Sequence, residues 1–167
     1  MKTFNSSPDK RIFTRPMAYL IVLVLVLAIA IPGLASSDEV GEVTRGPFHT
    51  YASGSGLNYD ISGYAHMTRT ADDKTIVSVH AVGLLPNTAY GVHVHNLPCG
   101  VSNGGGHYQD VVGGAVDAVN EIWPLFTTNA AGIGNGYAAN NFRARSEAQA
   151  VVIHAPGGAR IACADLE

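Results

Sequence analysis

Ala89-Tyr-Gly-Val-His-Val-His-Asn-Leu-Pro-Cys-Gly100, running on to Gly104-Gly-Gly-His-Tyr108, decides how this chain is read. His93 and His95 are separated only by Val94. On an extended strand side chains alternate faces, so both imidazoles leave the same face while Val92 and Val94 point the other way, toward a core. His107 follows three glycines. Glycine tolerates left-handed backbone angles, so this loop can turn back tightly and bring His107 beside the first pair. A fourth histidine, His154, ends the apolar run Ala150-Val-Val-Ile153. Four imidazoles converging from two strands and a loop make a site for a borderline metal such as copper or zinc.

The surrounding sequence has the profile of an all-β domain. Charged residues are sparse at 14%, and β-branched runs are punctuated by Gly, Asn and Pro. An edge strand is expected within Val43–Tyr51, broken or bulged at Gly46-Pro47, with a loop at Ser53–Leu57. Tyr59–Thr70 and Thr75–Gly83 read as a pair around Ala71–Lys74, and Ala89–Asn96 is the His-x-His strand. Leu97–Asn120 is glycine-rich and irregular, and a loop of that length in a compact domain is commonly functional. Glu121–Thr128 and Ile133–Ala139 are expected to form a hairpin around Asn129–Gly132. Ala148–Ala155 and Ala159–Ala164 are expected to form the last pair. About eight short antiparallel strands with frequent turns suggest a β-sandwich or barrel.

Residues 1–35 are expected to lie outside this domain. Lys2, Lys10, Arg11 and Arg15 precede an uncharged run from Met17 to Ile31, and Gly33 and Ala35 give a small-x-small pattern suited to cleavage before Ser36. The segment reads as a signal peptide or, extended to Ala35, as an N-terminal membrane anchor near the ~20 residues needed to cross a bilayer. Either delivers residues 36–167 outside the cytoplasm. That domain carries six Lys/Arg against twelve Asp/Glu, a formal charge of −6 with histidine neutral. Such a balance argues against nucleic acid as a partner, and leaves the membrane as a partner only through the N-terminal segment. Cys99 and Cys163 are the only cysteines. In an exported domain they read as a disulfide, with soft metal ligands as the other reading.

Five short motifs then fall in one order: Gly91-Val-His-Val-His95, Cys99-Gly, Gly-Gly-His107-Tyr, Val151-Val-Ile-His154 and Ala159-Arg-Ile-Ala-Cys163. Together they resemble the copper–zinc superoxide dismutases over Tyr59–Ala164. The resemblance implies a Greek-key β-sandwich. It implies that His93, His95, His107 and His154 are copper ligands and that Cys99 and Cys163 form the intrasubunit disulfide. It also implies that Arg160 holds the anionic substrate, superoxide, beside copper.

The chain departs from that family where zinc would bind. No histidine lies between His107 and His154, and Asp110, Asp117 and Glu121 are the only carboxylates between His107 and Arg143. Three carboxylates and one imidazole make a poor tetrahedral zinc site, so zinc is not expected. Only Ala155–Ala159 separates His154 from Arg160, so the family's charged loop is nearly absent. Both departures resemble the extracellular copper-only branch. With no zinc to fix His107, a carboxylate could do so, and Glu121 falls near the family's zinc-binding aspartate in sequence order. The other reading of Glu121 is an ordinary surface glutamate. His49, His66 and His80 read as surface or satisfied core histidines, and Trp123 as a core or rim aromatic. The function implied is copper-dependent superoxide dismutation. The competing readings are a copper carrier, which needs the histidines but not Arg160, and a structural sandwich with an empty site.

Overall fold

The computed structural model of the protein describes residues 41–167. The leader or anchor expected over residues 1–35 lies outside the described residues. Among the described residues nine strands and one short α-helix follow in order: β1 (Glu42–Pro47), β2 (His49–Thr50), α1 (Ala52–Gly56), β3 (Ser62–Arg69), β4 (Thr75–Val82), β5 (Ala89–His95), β6 (Phe126–Thr127), β7 (Gly134–Asn140), β8 (Ala150–His154) and β9 (Arg160–Asp165), with a 3-10 turn at Ser102–Gly104 in the long loop. They form two antiparallel sheets ordered β1-β3-β4-β7 and β2-β9-β8-β5-β6. The pairings β4–β7 and β5–β8 join strands that are not consecutive, which are the crossovers of a Greek-key sandwich. The all-β expectation holds, with one strand more than the sequence suggested.

Alternation explains the layers. Ala65 and Met67 of β3 and Val77, Val79 and Ala81 of β4 are buried, while Tyr64 and Ser78 on the opposite face are exposed. From the other sheet, Val92 and Val94 of β5 and Val151 and Ile153 of β8 meet them in one core. The opposite face of β8 is buried too: Ala150 and Val152 pack with Cys99 and Cys163 under the long loop. That second burial is why β8 reads as a continuous apolar run rather than an alternating one.

Three local expectations are corrected. Ser53–Leu57 is not simply a loop, because Ala52–Gly56 makes one helical turn; Gly54 is required there, since a Cβ would sit 2.3 Å from the Ile161 carbonyl oxygen. The single edge strand expected over Val43–Tyr51 is two strands, β1 in one sheet and β2 in the other. The chain changes sheets at Phe48, whose ring is buried in the core. The expected hairpin of Glu121–Thr128 with Ile133–Ala139 does not form. Phe126–Thr127 pairs with β5, and Gly134–Asn140 pairs with β4. The turn at Asn129–Gly132 carries the chain from one sheet to the other instead of folding one sheet on itself.

Arg69 ties the sandwich to the segment entering β8. It is 5% exposed, its Nε donates to the Ala144 carbonyl at 2.7 Å, and its Nη1 pairs with Glu42 at 3.1 Å. Cys99 and Cys163 are bonded, with their Cα atoms 5.8 Å apart and 64 positions apart in sequence. Closing a loop of that length constrains the unfolded chain by about 4 kcal/mol in the chain-entropy account. Reduction is therefore expected to lower the denaturant midpoint clearly, as followed by tryptophan fluorescence with and without reductant. An unchanged midpoint would mean the bond contributes nothing to stability.

Candidate metal centre

The outer face of β5 and β8 is the floor of a histidine cluster. In the β5–β8 register Gly91 lies opposite His154 and His93 opposite Val152, so His93, His95 and His154 project from one surface. The glycine loop supplies the fourth ring. Leu97 N donates to the Gly104 carbonyl and Asn96 N to the Gly106 carbonyl, and Tyr108 N donates to Val94 at 2.8 Å. Residues 104–108 thus return alongside the end of β5, and His107 bridges to His95. Gly104 has φ +89°, and a Cβ there would meet Val152 at 3.0 Å and His95 Nδ1 at 3.4 Å. A side chain at this position would push the loop off His95.

One nitrogen from each of His93, His95, His107 and His154 lies within 4.8 Å of the others. The His95 and His154 Nε2 atoms are 3.3 Å apart, and the His93 and His107 ring centroids are 4.0 Å apart. Three of the four rings are held from behind at Nδ1. His95 faces the Gly105 carbonyl at 3.3 Å and His154 the Gly158 carbonyl at 3.2 Å. His107 donates to Glu121 Oε2 at 2.6 Å. The Nε2 atoms of these three are left for the cluster. His93 is the reverse case: its Nδ1 is buried with no partner. A buried polar atom without a partner requires an explanation, and a metal ion is one. Four nitrogens, one of them orphaned, fit a metal that favours imidazole.

Electrostatics keep these rings ready for a cation. Burial, followed by repulsion from His107 and His154, pushes His93 down to about 3. His95 is held at about 3 by burial and by His107, His154 and Arg160. Burial also lowers His154, against an opposing bond to the Gly158 carbonyl. Neutral imidazole is the form that binds metal, so these rings need release no proton near neutrality.

Glu121 is 1% exposed and not a surface residue. Its Oε2 accepts from His107 and, at 2.8 Å, from Trp123 Nε1; its Oε1 accepts from Gln109 Nε2 at 3.1 Å. Burial pushes this carboxyl up, but bonds from Trp123, His107 and Gln109 outweigh it and hold the group below its ordinary value. Sequence reasoning missed Trp123 and Gln109. The available signal was the Glu-Ile-Trp spacing: Ile122 is buried in the core, so its two neighbours turn toward the cluster. Asp110 and Asp117 do not join it. Asp117 accepts the Val119 and Asn120 amides in a turn, and Asp110 lies 3.6 Å from Arg145.

Arg160 reaches this face through an irregularity. Ile153 pairs with Ala162 but the next residue, His154, pairs with Arg160, leaving Ile161 as a bulge. Ile161 and Ala162 both enter the core. In a regular strand Arg160 would share the inward face of Ala162; the bulge turns it outward beside His154. Its Nη1 donates to the Ser102 and Asn103 carbonyls at 3.0 Å each. Nη2 has no hydrogen-bond partner among the described residues. The other histidines lie elsewhere. His66 and His80 pack around Tyr64 on the far sheet, and His49 is exposed on β2. Tyr108 is buried, its hydroxyl accepting from Arg145 N.

No family model matches the chain, and no curated protein sequence matches it. Among solved structures it is similar to a glutamate-to-glutamine mutant of Candida albicans superoxide dismutase 5. The TM-score is 0.52 at 19% identity, covering 76% of this chain and 91% of that one. The chain therefore has the sandwich fold of the copper–zinc superoxide dismutases.

The depressed histidines predict an acid-sensitive metal-free protein. Unfolded imidazoles titrate near 6.5, so between about 6.5 and 3 the unfolded chain binds more protons than the folded one. Stability is fully present above that window and falls as the pH drops through it. Melting of chelator-treated protein from pH 7.5 to 5 should show the fall, and a His93→Asn/His95→Asn variant should flatten it. Equal slopes for the two proteins would contradict the assignment.

Proposed function

We propose that residues 36–167 form an extracytoplasmic superoxide dismutase that uses copper alone at His93, His95, His107 and His154, exported behind a leader or anchor at residues 1–35. The observation that carries this reading is the pairing, on one sheet face, of a four-imidazole cluster with an arginine turned toward it by a bulge. A copper carrier needs the cluster but has no use for Arg160, whose bulge interrupts an otherwise regular pairing. The fold shared with a superoxide dismutase and the Cys99–Cys163 bond, a feature of oxidising compartments, support the same reading. The carboxylates that might have held zinc serve other partners, which favours copper alone.

Copper bound there would supply the one-electron couple that converts two superoxide anions and two protons to dioxygen and hydrogen peroxide. The chain supplies the rest. Arg160, anchored through Nη1, offers Nη2 and a permanent charge to a small anion entering beside His154. The domain's net charge is negative, so attraction of superoxide is a local matter of this guanidinium. Glu121 keeps a proton on His107 Nδ1, which leaves Nε2 as the ligand atom and as the atom able to take up a proton when the ring is free.

Metal analysis combined with superoxide consumption before and after copper loading tests the reading. Activity should appear with about one copper per chain and vanish when His93, His95 and His154 are replaced by alanine. Arg160→Ala should retain copper but lose roughly tenfold to a hundredfold in turnover, the loss of a charge-assisted hydrogen bond of about 1.5–3 kcal/mol. Arg160→Lys should recover part of it. Equal turnover by wild type and Arg160→Ala at equal copper occupancy would favour the carrier.

A further inference from the structure

We propose that Trp123 and Gln109 are positioning residues of the histidine cluster: together they lock the Glu121 carboxylate that orients His107, and Trp123 also sets the plane of His93. The inference rests on the metal-centre reading above and assigns a task to two residues outside the ligand set.

A single hydrogen bond leaves a carboxylate free to rotate about its last side-chain bond. Glu121 receives three, spread over both oxygens: His107 and Trp123 on Oε2, Gln109 on Oε1. Indole Nε1 is a donor only, so Trp123 can contribute here only by donating to an acceptor such as this one. Gln109 is itself oriented, because its Oε1 accepts from Gly113 N at 2.9 Å and its amide NH2 must then face Glu121. The glutamate backbone is held independently: its N–H donates to Asp117 O at 2.8 Å and its carbonyl accepts from Asn140 Nδ2 at 3.0 Å. The residue is thus anchored in place by its backbone, and Trp123 and Gln109 settle which way its carboxylate turns.

Trp123 does a second thing that Gln109 does not. His95, His107 and His154 each have a protein group opposite Nδ1, but His93 Nδ1 has none. Packing therefore fixes the His93 ring, between His107 at 4.0 Å and Trp123 at 5.5 Å, the latter edge-on at 61°. One indole touches His93 directly and reaches His107 through one carboxylate.

Phenylalanine at position 123 keeps an aromatic ring near His93, removes the N–H donor and trims the ring; the part of the loss that acts through Glu121 is what the cycle isolates. The test is a double-mutant cycle of Trp123→Phe and Glu121→Gln on the full domain. Copper(II) affinity is read by chelator competition, the copper hyperfine splitting by electron paramagnetic resonance, and the melting temperature on metal-free protein. Trp123→Phe should lose roughly tenfold in affinity, at the low end for partners of metal ligands, and shift the hyperfine splitting. The double variant should bind no worse than Glu121→Gln, because the indole N–H acts through that carboxylate. Gln109→Leu, which leaves the ring packing untouched, should give a smaller loss in the same direction. Wild-type affinity and spectrum in both Trp123→Phe and Gln109→Leu would overturn the inference while leaving the metal centre standing. Additive losses in the cycle would also overturn it. A wild type that takes up no copper at all would remove the metal reading and this inference together.

Discussion

The structure depends on β5 having two chemically opposite faces. Tyr90, Val92 and Val94 enter the common core, and His93 and His95 leave from the other side. A one-residue slip would put both imidazoles into the apolar core and two valines into the cluster, so core burial itself enforces the ligand geometry. Strand β8 repeats the arrangement with Val151 and Ile153 inside and His154 outside. Precision at the cluster is inherited from packing on the far side of the same sheet, and rigid strands hold ligands better than loops do.

The outward His95 is nonetheless buried and His93 half-buried, and a loop covers His95. Gly104 and Gly105, both at positive φ, let residues 104–108 lie close enough to cover His95 completely. Burial lowers the proton affinity of His93, His95 and His154, which keeps them in the neutral form that binds metal. Among the described residues Glu121 supplies the only carboxylate hydrogen-bonded to a ring of the cluster, and three donors offset the loss of its water. Neutral rings with one oriented carboxylate behind them suit a bound divalent ion better than they suit an empty cavity.

Much of this was legible from the sequence because it depends on periods of two and on glycine. The His-x-His strand, the returning glycine loop and the β8–β9 pair follow from residues that admit few alternatives. The failures have specific causes. Glu121–Thr128 and Ile133–Ala139 read as a hairpin around a turn, yet the strands they contain, Phe126–Thr127 and Gly134–Asn140, lie in different sheets. A Cβ at Gly136 would sit 2.1 Å from the Pro124 carbonyl oxygen, a close approach between non-adjacent segments that no local pattern records. In sequence an indole such as Trp123 reads as a core or rim aromatic, and its donor role exists only once Glu121 is buried. The bulge at Ile161 was invisible for a similar reason: the alternative, Arg160 on the core face, is excluded by tertiary contacts and not by anything in Ala159-Arg-Ile-Ala-Cys163.

The bulge and the disulfide act on the same short strand. Cys163, opposite Val152, bonds to Cys99 at the start of the long loop, and Arg160 donates to Ser102 and Asn103 a few residues further along that loop. Strand β9 is therefore tied to the loop at three points: the disulfide, the Arg160 hydrogen bonds, and the Cys99 N–H donating to Asp165 Oδ1 at 2.7 Å. Ser102 and Asn103 both have positive φ, a conformation that ordinary residues adopt only when their surroundings impose it. The covalent tie and the turn it constrains bring two carbonyls to Arg160 Nη1, and that leaves Nη2 directed away from the anchor. The guanidinium is thus preorganised before any anion arrives, so little of the binding free energy is spent on ordering it.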